Sequence, residues 1–455
     1  MTQLLPLMNI PGYFPSGGFH GCILNELASL AGRHIIQIPE TTDQMMRGFR
    51  AMRRCLSIIF PAWEMEKMSQ QAIIDSTNAS KRECVRKAFT NINRTGYLAK
   101  YHQVSAFIKW EKHADLVSDP LEGKTPRLIQ HREPEYCYTL ARYLKPIEHY
   151  VFNTKYGRRV SDPYFSKGMT SWQVGERIAK MDRWADTVFV LLDHSRYDST
   201  LRAELRRTVE YPFYQSFYPN NKELADLLRK QVKNRGTTRS GVRYTVIGTM
   251  MSGEYNTSLG DSVINYALIR NWVHGACDIL VNGDDSVVSM PYRVYKNLDF
   301  DYFKQMGFRT KVEVVYSLNE VNFCQCQPVR IEGKWRMIRT PTRVISRIAY
   351  TCKSLRGDGW SKLAWAIGAG ELACNDGVPI LQQLGLSLVR DNIKSTRMLN
   401  QYMQENRRHD KITMKAKPIS METRMQFQLT FGYTIAEQIG IERAIRQHSW
   451  RALPV

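Results

Sequence analysis

A chain of 455 residues, 43% hydrophobic and 11% aromatic, can bury a large core and hold more than one unit of ordinary domain size. No run approaches the ~18 apolar residues of a membrane span, and the start, MTQLLPLMNIPGYF, lacks the basic head and long apolar stretch of a signal peptide. With 64 Lys and Arg against 43 Asp and Glu the formal net charge is +21, spread along the chain; this fits a polyanionic partner, nucleic acid ahead of an anionic membrane or a merely basic soluble protein.

Residues 1–100 are mixed and mostly helical in pattern, without a chemical signature. Local breaks at Ile10-Pro11-Gly12, Pro15-Ser16-Gly17-Gly18, Asp119-Pro120-Leu121-Glu122-Gly123, Asn234-Arg235-Gly236-Thr237-Thr238 and Arg356-Gly357-Asp358-Gly359 are expected to be loops within one assembly. Val188-Phe189-Val190-Leu191-Leu192 is a short apolar run ending at Asp193 and predicts a buried strand. A helical pattern follows Asp198, carried by Leu201, Leu205 and Val209, with Pro212 expected to kink or end it. Ser252-Gly253 opens a loop that runs into a further helical pattern. Ile279-Leu280-Val281 and Ser286-Val287-Val288 flank Asn282-Gly283, a strong hairpin signal. Beyond about 340 the pattern is mainly helical, so the class is α+β. The nine cysteines are scattered and odd in number; Cys324 and Cys326 flank one glutamine, which is no zinc spacing. All nine are expected to be reduced thiols in a cytosolic setting, buried as small hydrophobes.

Asp284 and Asp285 fall at or beside the hairpin tip, where adjacent carboxylates raise each other's pKa. If that hairpin neighbours the Val188–Leu192 strand, Asp193 converges on the same sheet edge. Hard oxygen ligands in this number suit Mg²⁺ or Mn²⁺, two of which could serve an in-line phosphoryl displacement. Asn-Gly-Asp-Asp by itself reads better as a polar hairpin turn, since turns favour Asn, Gly and Asp; order and context decide. Asp193-His194-Ser195-Arg196-Tyr197-Asp198 comes first, then Ser252-Gly253-Glu254-Tyr255-Asn256-Thr257-Ser258-Leu259-Gly260-Asp261, then Gly283-Asp284-Asp285.

These three segments resemble, in order and spacing, the palm motifs of RNA-dependent RNA polymerases of positive-strand RNA viruses. Ser252-Gly253, Asn256-Thr257-Ser258-Leu259-Gly260 and Glu320-Val321-Asn322-Phe323-Cys324-Gln325 are similar to the tombusvirus and carmovirus branch. The resemblance covers roughly 105 to 350. It implies a right-hand fold with an antiparallel palm sheet and mainly helical fingers and thumb. The expected division is 1–185 for the N-terminal segment and fingers, 186–198 and 246–335 for the palm, 199–245 for a fingers insertion and 336–455 for the thumb and C-terminal helices.

The resemblance also implies roles. Asp193 and Asp284 would ligate two Mg²⁺ or Mn²⁺ ions, with Asp285 assisting and the His194 carbonyl as an extra ligand. Phe107–Lys112 and Lys124–Gln130 resemble the basic fingers motif over the channel by which NTPs arrive. There Arg127 is the first choice for the triphosphate, since a guanidinium grips phosphate as a fork. Lys109, Lys124 and Arg132 are secondary, each otherwise an ordinary solvated charge. Asp198, Ser252, Gly253, Thr257 and Asp261 would surround the ribose. Lys311, with Lys304 as competitor, would be the general acid near the leaving pyrophosphate. Phe323-Cys324-Gln325 resembles the hairpin that grips the growing strand, or is plain packing. Arg343 and Arg347, four apart, share a helix face that tracks product phosphates or forms a salt-bridged surface.

Two positions depart from the family pattern: Asp261 stands where asparagine is usual and Met250 where arginine is frequent. Asp261 would repel Asp198 unless one is protonated or a donor intervenes; Ser252, Asn256 and Thr257 are candidate donors, Asn265 a candidate replacement amide, and a solvent-facing Asp261 the bland alternative. RNA template, product and NTPs are the expected partners. A membrane-anchored viral replication protein would bring the chain to membrane-associated complexes in the host cytoplasm, which leaves room for its being the C-terminal portion of a readthrough product. A reverse transcriptase, which usually carries a bulky aromatic where Asp198 stands, and a non-catalytic RNA-binding replication factor are the alternatives.

Overall fold

The structure is a computed structural model that describes residues 2–8, 16–36, 38–113, 125–153, 163–406, 409–412 and 415–453. Lys124 and the breaks at 10–12 and 119–123 lie outside these. Twelve strands occur among the described residues: β1 (Thr2–Gln3), β2 (Val104–Ile108), β3 (Leu128–His131), β4 (Thr187–His194), β5 (Lys233–Thr238), β6 (Arg243–Ile247), β7 (Asp278–Asn282), β8 (Asp285–Pro291), β9 (Thr310–Val315), β10 (Cys326–Ile331), β11 (Lys334–Arg339) and β12 (Tyr350–Thr351). With the many helices this is the expected α+β class.

The central sheet is antiparallel, in the order β7-β8-β4-β9. It is buried on both faces, which is why β4 reads as an unbroken apolar run. Val188, Val190, Leu192, Val281 and Val288 pack into the main core beneath the helix Thr257–Trp272. Phe189, Leu191, Leu280 and Val287 face the other way, onto Ile178 and Met181 of the helix Ser171–Met181. That helix is started by a capping box, Thr170 with Gln173.

A second sheet runs β3-β2-β5-β6, with β2 and β5 parallel and the other pairs antiparallel. It joins strands from before Asp193 to strands from between Asp198 and Ser252. β5 contains Asn234–Thr238, which the sequence presented as a loop. Burial alternates strictly along it, with Asn234, Gly236 and Thr238 inward. Polar residues suit a strand exposed on one face, and Gly236 marks a close approach: a Cβ there would meet the Tyr244 ring at 2.2 Å.

The C-terminal part is helical, with a core of its own that includes Leu363, Ile367, Leu381, Leu388, Phe427 and Trp450. The chain's beginning crosses to it. β1 pairs with β12, and Leu4 and Leu5 are fully buried in that core. Lys112 also reaches over: its ammonium donates to the carbonyls of Arg347 and Tyr350, both at 2.6 Å, and burial lowers its pKa to about 8.

Two local expectations need correction. The helix after Asp198 is not continuous: Tyr197–Thr200 ends, and Ala203–Leu205 leads through a wider π turn, Arg206–Glu210, into Tyr211–Gln215. The helical run from Ala203 to Gln215 passes through Pro212, and the wider π turn lies directly before it, where the proline's missing N–H interrupts the α-helical ladder. The hairpin is shifted by one residue. Asn282 pairs with Asp285, so the two turn residues are Gly283, at φ +67°, and Asp284; glycine leads, as a two-residue turn of this kind requires. The thiols also differ from expectation: eight cysteines are partly buried and Cys84 is exposed, none fully buried.

Candidate functional site: a carboxylate cleft at the edge of the central sheet

The carboxylates meet because β4 and β8 are neighbours. Leu192 pairs with Ser286, so the next positions outward are Asp193 and Asp285, with Asp284 at the turn. Asp193 and Asp284 face a cleft of about 1300 Å³. The carboxyl of Asp284 is raised by its enclosure and then by Asp193. That of Asp285 is raised to about 6, by burial and then by Asp284; the Cys324 thiol, hydrogen-bonded to it, pulls the other way. Among the described residues no three acidic, histidine or cysteine side chains form a ready-made metal cage. The donor set nevertheless fits a hard divalent cation: crowded carboxylates, with Asp284 and Asp285 raised by burial and by neighbouring negative charge that a cation would offset, on an open edge where substrate phosphates and water can complete the shell.

A polar relay holds this edge from behind. His194, the last residue of β4, is buried, and burial lowers its pKa to about 4. Its neutral ring lies 2.8 Å from Thr310 Oγ1 through Nδ1 and 3.0 Å from Asn265 Oδ1 through Nε2. Since the Asn265 amide nitrogen donates to the carbonyls of Gly283 (3.0 Å) and Asp284 (3.1 Å), Nε2 is the ring donor and Nδ1 the acceptor. Asn265 is therefore committed to the carboxylate turn and does not substitute for an amide at Asp261. Lys311 stands directly across from Asp193 on β9 and is exposed; Lys304 is exposed on a short helix, Tyr302–Gln305.

The Ser-Gly loop lies along the free edge of β3. Gly253 N donates to Gln130 O (2.8 Å), while Ser252 Oγ donates to Leu128 O (3.1 Å) and accepts from Gln130 N (3.2 Å). A Cβ at Gly253 would stand 2.7 Å from Gln130 O, so only glycine permits this contact. Thr257 Oγ1 donates to Met251 O (2.9 Å). Asn256 is fully buried, giving to Glu210 (2.5 Å) and accepting from Gln231 (2.9 Å), and Arg206 joins them through Glu210 (2.6 Å) and Gln231 (2.8 Å). Ser252, Asn256 and Thr257 thus spend their polar atoms on shaping the loop, and none supplies the donor expected between Asp198 and Asp261.

That pair solves its repulsion with a proton. Asp261 is 6% exposed, which removes the solvent-facing alternative. Its carboxyl and that of Asp198 share a hydrogen bond, and two carboxyls can do so only if one is protonated. Burial raises both, reinforced at Asp261 by Asp198 and at Asp198 by Asp284, and the effect is the stronger at Asp261. The other Asp261 oxygen, Oδ1, is buried with no protein partner.

The cationic wall differs from expectation. Arg127 is exposed at the cleft, with Glu111 3.7 Å away, and Lys109 pairs with Glu111 at 3.1 Å. Arg132 borders the cleft but is only 2% exposed: it pairs with Glu254 at 2.6 Å and donates to Asn234 and the His102 carbonyl. Its donors are thus spent on tying the Ser-Gly loop to the second sheet. Arg33 and Arg196 were not anticipated. Both line the cleft, and burial together with repulsion from Arg127 and Arg196 lowers the pKa of Arg33. Arg196 sits at φ 55° between two aspartates, and Arg33 in a π turn, Leu30–His34, of the segment without chemical pattern. Arg33 lies in no sequence motif, and Arg196 falls inside the Asp193–Asp198 segment without a role assigned to it there.

Cys324 is held in a tight turn with Cys324 and Gln325 both at positive φ; its sulfur accepts from Asn282 (3.2 Å) beside Asp285. Arg343 and Arg347 lie on the helix Pro341–Ile348, half-buried, and neither forms an ion pair among the described residues, so the salt-bridged alternative is not what is seen.

Comparison with known proteins agrees with this arrangement. Residues 32–452 match the family described as viral RNA dependent RNA polymerase. The RNA-directed RNA polymerase of Panicum mosaic virus is 31% identical over 380 residues, 78% of this chain and 37% of that protein. The protein of the same name from Tomato bushy stunt virus is 30% identical over 402 residues, 83% of this chain and 47% of its own length. That of Tobacco necrosis virus strain D is 29% identical over 416 residues, 85% and 55% respectively. The chain therefore spans about a third to just over half the length of these relatives, and it belongs to the viral RNA dependent RNA polymerase family.

Proposed function

We propose that this chain is an RNA-directed RNA polymerase, joining NTPs to an RNA 3′-hydroxyl on an RNA template. The observation that carries it is the meeting, at one cleft, of Asp193 with Asp284, the Ser-Gly loop and the Arg127 wall. In this reading the central sheet is the palm, within 186–198 and 246–335. The second sheet belongs to the fingers, drawn from 1–185 and 199–245, and the helices of 336–455 are the thumb.

Each residue then has work to do. Asp193 and Asp284, assisted by Asp285, would hold two divalent ions, Mg²⁺ or Mn²⁺, which when bound lower the pKa of the attacking hydroxyl and stabilise the leaving oxygen. Thr310, His194 and Asn265 fix the turn that carries Asp284. Arg127, Arg33 and Arg196 receive the triphosphate, with Lys109 nearby. Asp198, Asp261 and the Ser252–Thr257 loop face the ribose, and Lys311 delivers a proton to the pyrophosphate. Arg343 and Arg347 follow the product strand.

The family is metal-dependent, and its substrates are RNA and NTPs. No helix of the described residues is long and apolar enough to cross a membrane, so attachment to replication membranes in the host cytoplasm would need a partner, such as a membrane-anchored viral replication protein. The test is primer-free and primer-extended synthesis on a defined RNA, with metal titration and with rNTPs against dNTPs. Extension with rNTPs that stops in Asp284→Ala supports the reading; equal synthesis by Asp284→Ala overturns it.

A further inference from the structure

The turn at Cys324 is tighter than its residues favour. Val321 and Phe323, just before it, plug into the apolar cluster under the central sheet, with Leu191, Leu280 and Val287. Phe323 and Cys326 exchange both backbone hydrogen bonds, at 2.9 and 3.1 Å, which leaves Cys324 and Gln325 as the two residues of the turn. They stand at φ 51° and 62°. Two-residue turns of this hand favour asparagine and glycine, because a β-carbon is crowded in the left-handed region. Such strain persists only where the surrounding structure holds it, and it gathers at functional sites.

The strained turn delivers one sulfur atom to the end of another hairpin. Asn282 and Asp285 are the cross-strand pair that closes the turn Gly283–Asp284. The Asn282 amide donates to Cys324 Sγ at 3.2 Å, and the Cys324 side chain is hydrogen-bonded to the Asp285 carboxyl. An amide nitrogen only donates and an ionised carboxylate only accepts, so the thiol takes from Asn282 and gives its own proton to Asp285.

The carboxylate turn is therefore held from two sides by different means. On one side the helix Thr257–Trp272 grips its backbone. The Asn265 amide donates to the carbonyls of Gly283 and Asp284, and Ser262 Oγ accepts from Gly283 N at 3.0 Å. Those contacts fix where the turn lies. Cys324 reaches a side chain instead, and so bears on where the Asp285 carboxylate points. A cysteine suits this. Its body packs on the same cluster as Phe323, and its S–H is a weak donor that orients a carboxylate while withdrawing little of its charge.

We propose that Cys324 is a positioning residue, holding the Asp285 carboxylate in the orientation from which it assists Asp193 and Asp284 with the divalent ions; this rests on the polymerase reading for what the carboxylate holds. Gripping the growing strand and plain packing are the other roles open to this turn, and each predicts a different loss.

The test compares the parent with Cys324→Ala, Cys324→Gly and Cys324→Ser. Glycine removes the thiol and is at ease at φ 51°, so the turn survives the change, and thermal melting checks each variant. Binding of Mn²⁺ alone, without NTP or RNA, is followed by loss of the free-ion EPR signal, with Asp284→Ala as the background. Incorporation of a single nucleotide is then measured across a Mg²⁺ series. Loss of a hydrogen-bond partner behind a metal ligand should raise both metal requirements by about ten-fold or more in the Ala and Gly variants. Affinity for a primer–template RNA and the melting temperature should stay near those of the parent. Cys324→Ser, which keeps a donor and an acceptor, should recover most of the loss. In an Asp285→Asn background Cys324→Gly should make no further difference to Mn²⁺ binding.

Unchanged metal requirements in Cys324→Gly overturn the proposal. So does weaker RNA binding with metal affinity intact, the mark of a strand grip, and so does a lowered melting temperature with metal affinity intact, the mark of packing. An undiminished effect in the Asp285→Asn background also overturns it, since Cys324 would then act elsewhere. If the parent binds Mn²⁺, Cys324→Gly weakens that binding and the parent never extends a primer, the positioning role stands and the polymerase reading falls. If the parent extends normally and Cys324→Gly does so at the same Mg²⁺, only the positioning role falls.

Discussion

Lys311 lies directly opposite Asp193 in the antiparallel pairing of β4 and β9, so the two side chains leave the sheet on the same side. Lys304, the competing candidate for proton donor, is on a separate short helix. The expected outcome follows from that difference. Lys311→Ala should slow single-turnover incorporation by about 10²–10⁴-fold, the range for loss of a positioned general acid. Lys304→Ala should stay close to the parent rate. Rapid-quench measurement at saturating NTP distinguishes them, and the reverse ranking would transfer the role to Lys304.

Arg127 and Arg132 are five residues apart and have different work. Arg127→Ala, at an exposed cleft position, should raise the KM for NTPs by more than it weakens template binding. Arg132→Ala takes from the buried Glu254 its hydrogen-bonded cation and leaves only Arg206, 3.7 Å away, a loss of about 3 kcal/mol. Its melting temperature should fall well before any selective effect on KM appears. Steady-state kinetics beside thermal melts settle this; a stable Arg132→Ala with a raised KM would return Arg132 to the triphosphate.

The difference between those two arginines shows where the sequence was readable. The strand ending at Asp193, the carboxylate hairpin and the Ser-Gly loop each sit in a few contiguous residues, so periodicity and turn chemistry reveal them. Burial of Arg132 depends on Glu254, 122 positions away, and no local pattern carries that. Arg33 joins the cleft only because its segment folds back against Ser199, whose hydroxyl donates to the Arg33 carbonyl at 2.5 Å. β5 was misread as a loop because Asn, Gly and Thr favour turns in isolation. Its strand character comes from pairing with β2 and β6. The one-residue slip at the hairpin has the same origin, since Asn282 suits a turn locally but is held in the ladder opposite Asp285.

His194 should leave a mark on pH stability. Its folded pKa, about 4, lies below the usual histidine value because burial disfavours the imidazolium. The unfolded chain therefore takes up this proton first as pH falls. The stability that the neutral ring contributes is complete above about 6.5 and is lost progressively towards pH 4, about 3 kcal/mol in all. His194→Gln cannot titrate, so the difference in unfolding free energy between parent and variant should shrink over that window. Urea titrations at half-unit pH steps measure it. A constant difference from pH 7 to pH 4 would mean that His194 does not change protonation on unfolding.

In the proposed reading Asp261 would work as a neutral acid, in a place where the resemblance leads one to expect asparagine. Protonated, it donates to Asp198, and its Oδ1, buried without a protein partner, remains an acceptor that the proposed ribose site would use. An asparagine side chain offers that same donor and acceptor without titrating. Both carboxyls have raised folded pKa values, so the sign runs opposite to that of His194. Their contribution is whole below the ordinary carboxylate range and is lost as pH rises towards the folded values, where the unfolded chain has already released its protons. Asp261→Asn should therefore be at least as stable as the parent at neutral pH. It should keep near-normal or better rNTP use, with a flatter pH profile and undiminished preference over dNTPs. Asp261→Ala removes both donor and acceptor, and should lose discrimination, since a site that pairs with a 2′-hydroxyl penalises its absence. In the parent, discrimination should decline at high pH as the shared proton leaves and two carboxylates face each other. The measurement is kcat/KM for a matched rNTP and dNTP pair from pH 6 to pH 9 in all three proteins. Identical activity and sugar preference in all three at every pH would remove Asp261 from the ribose site.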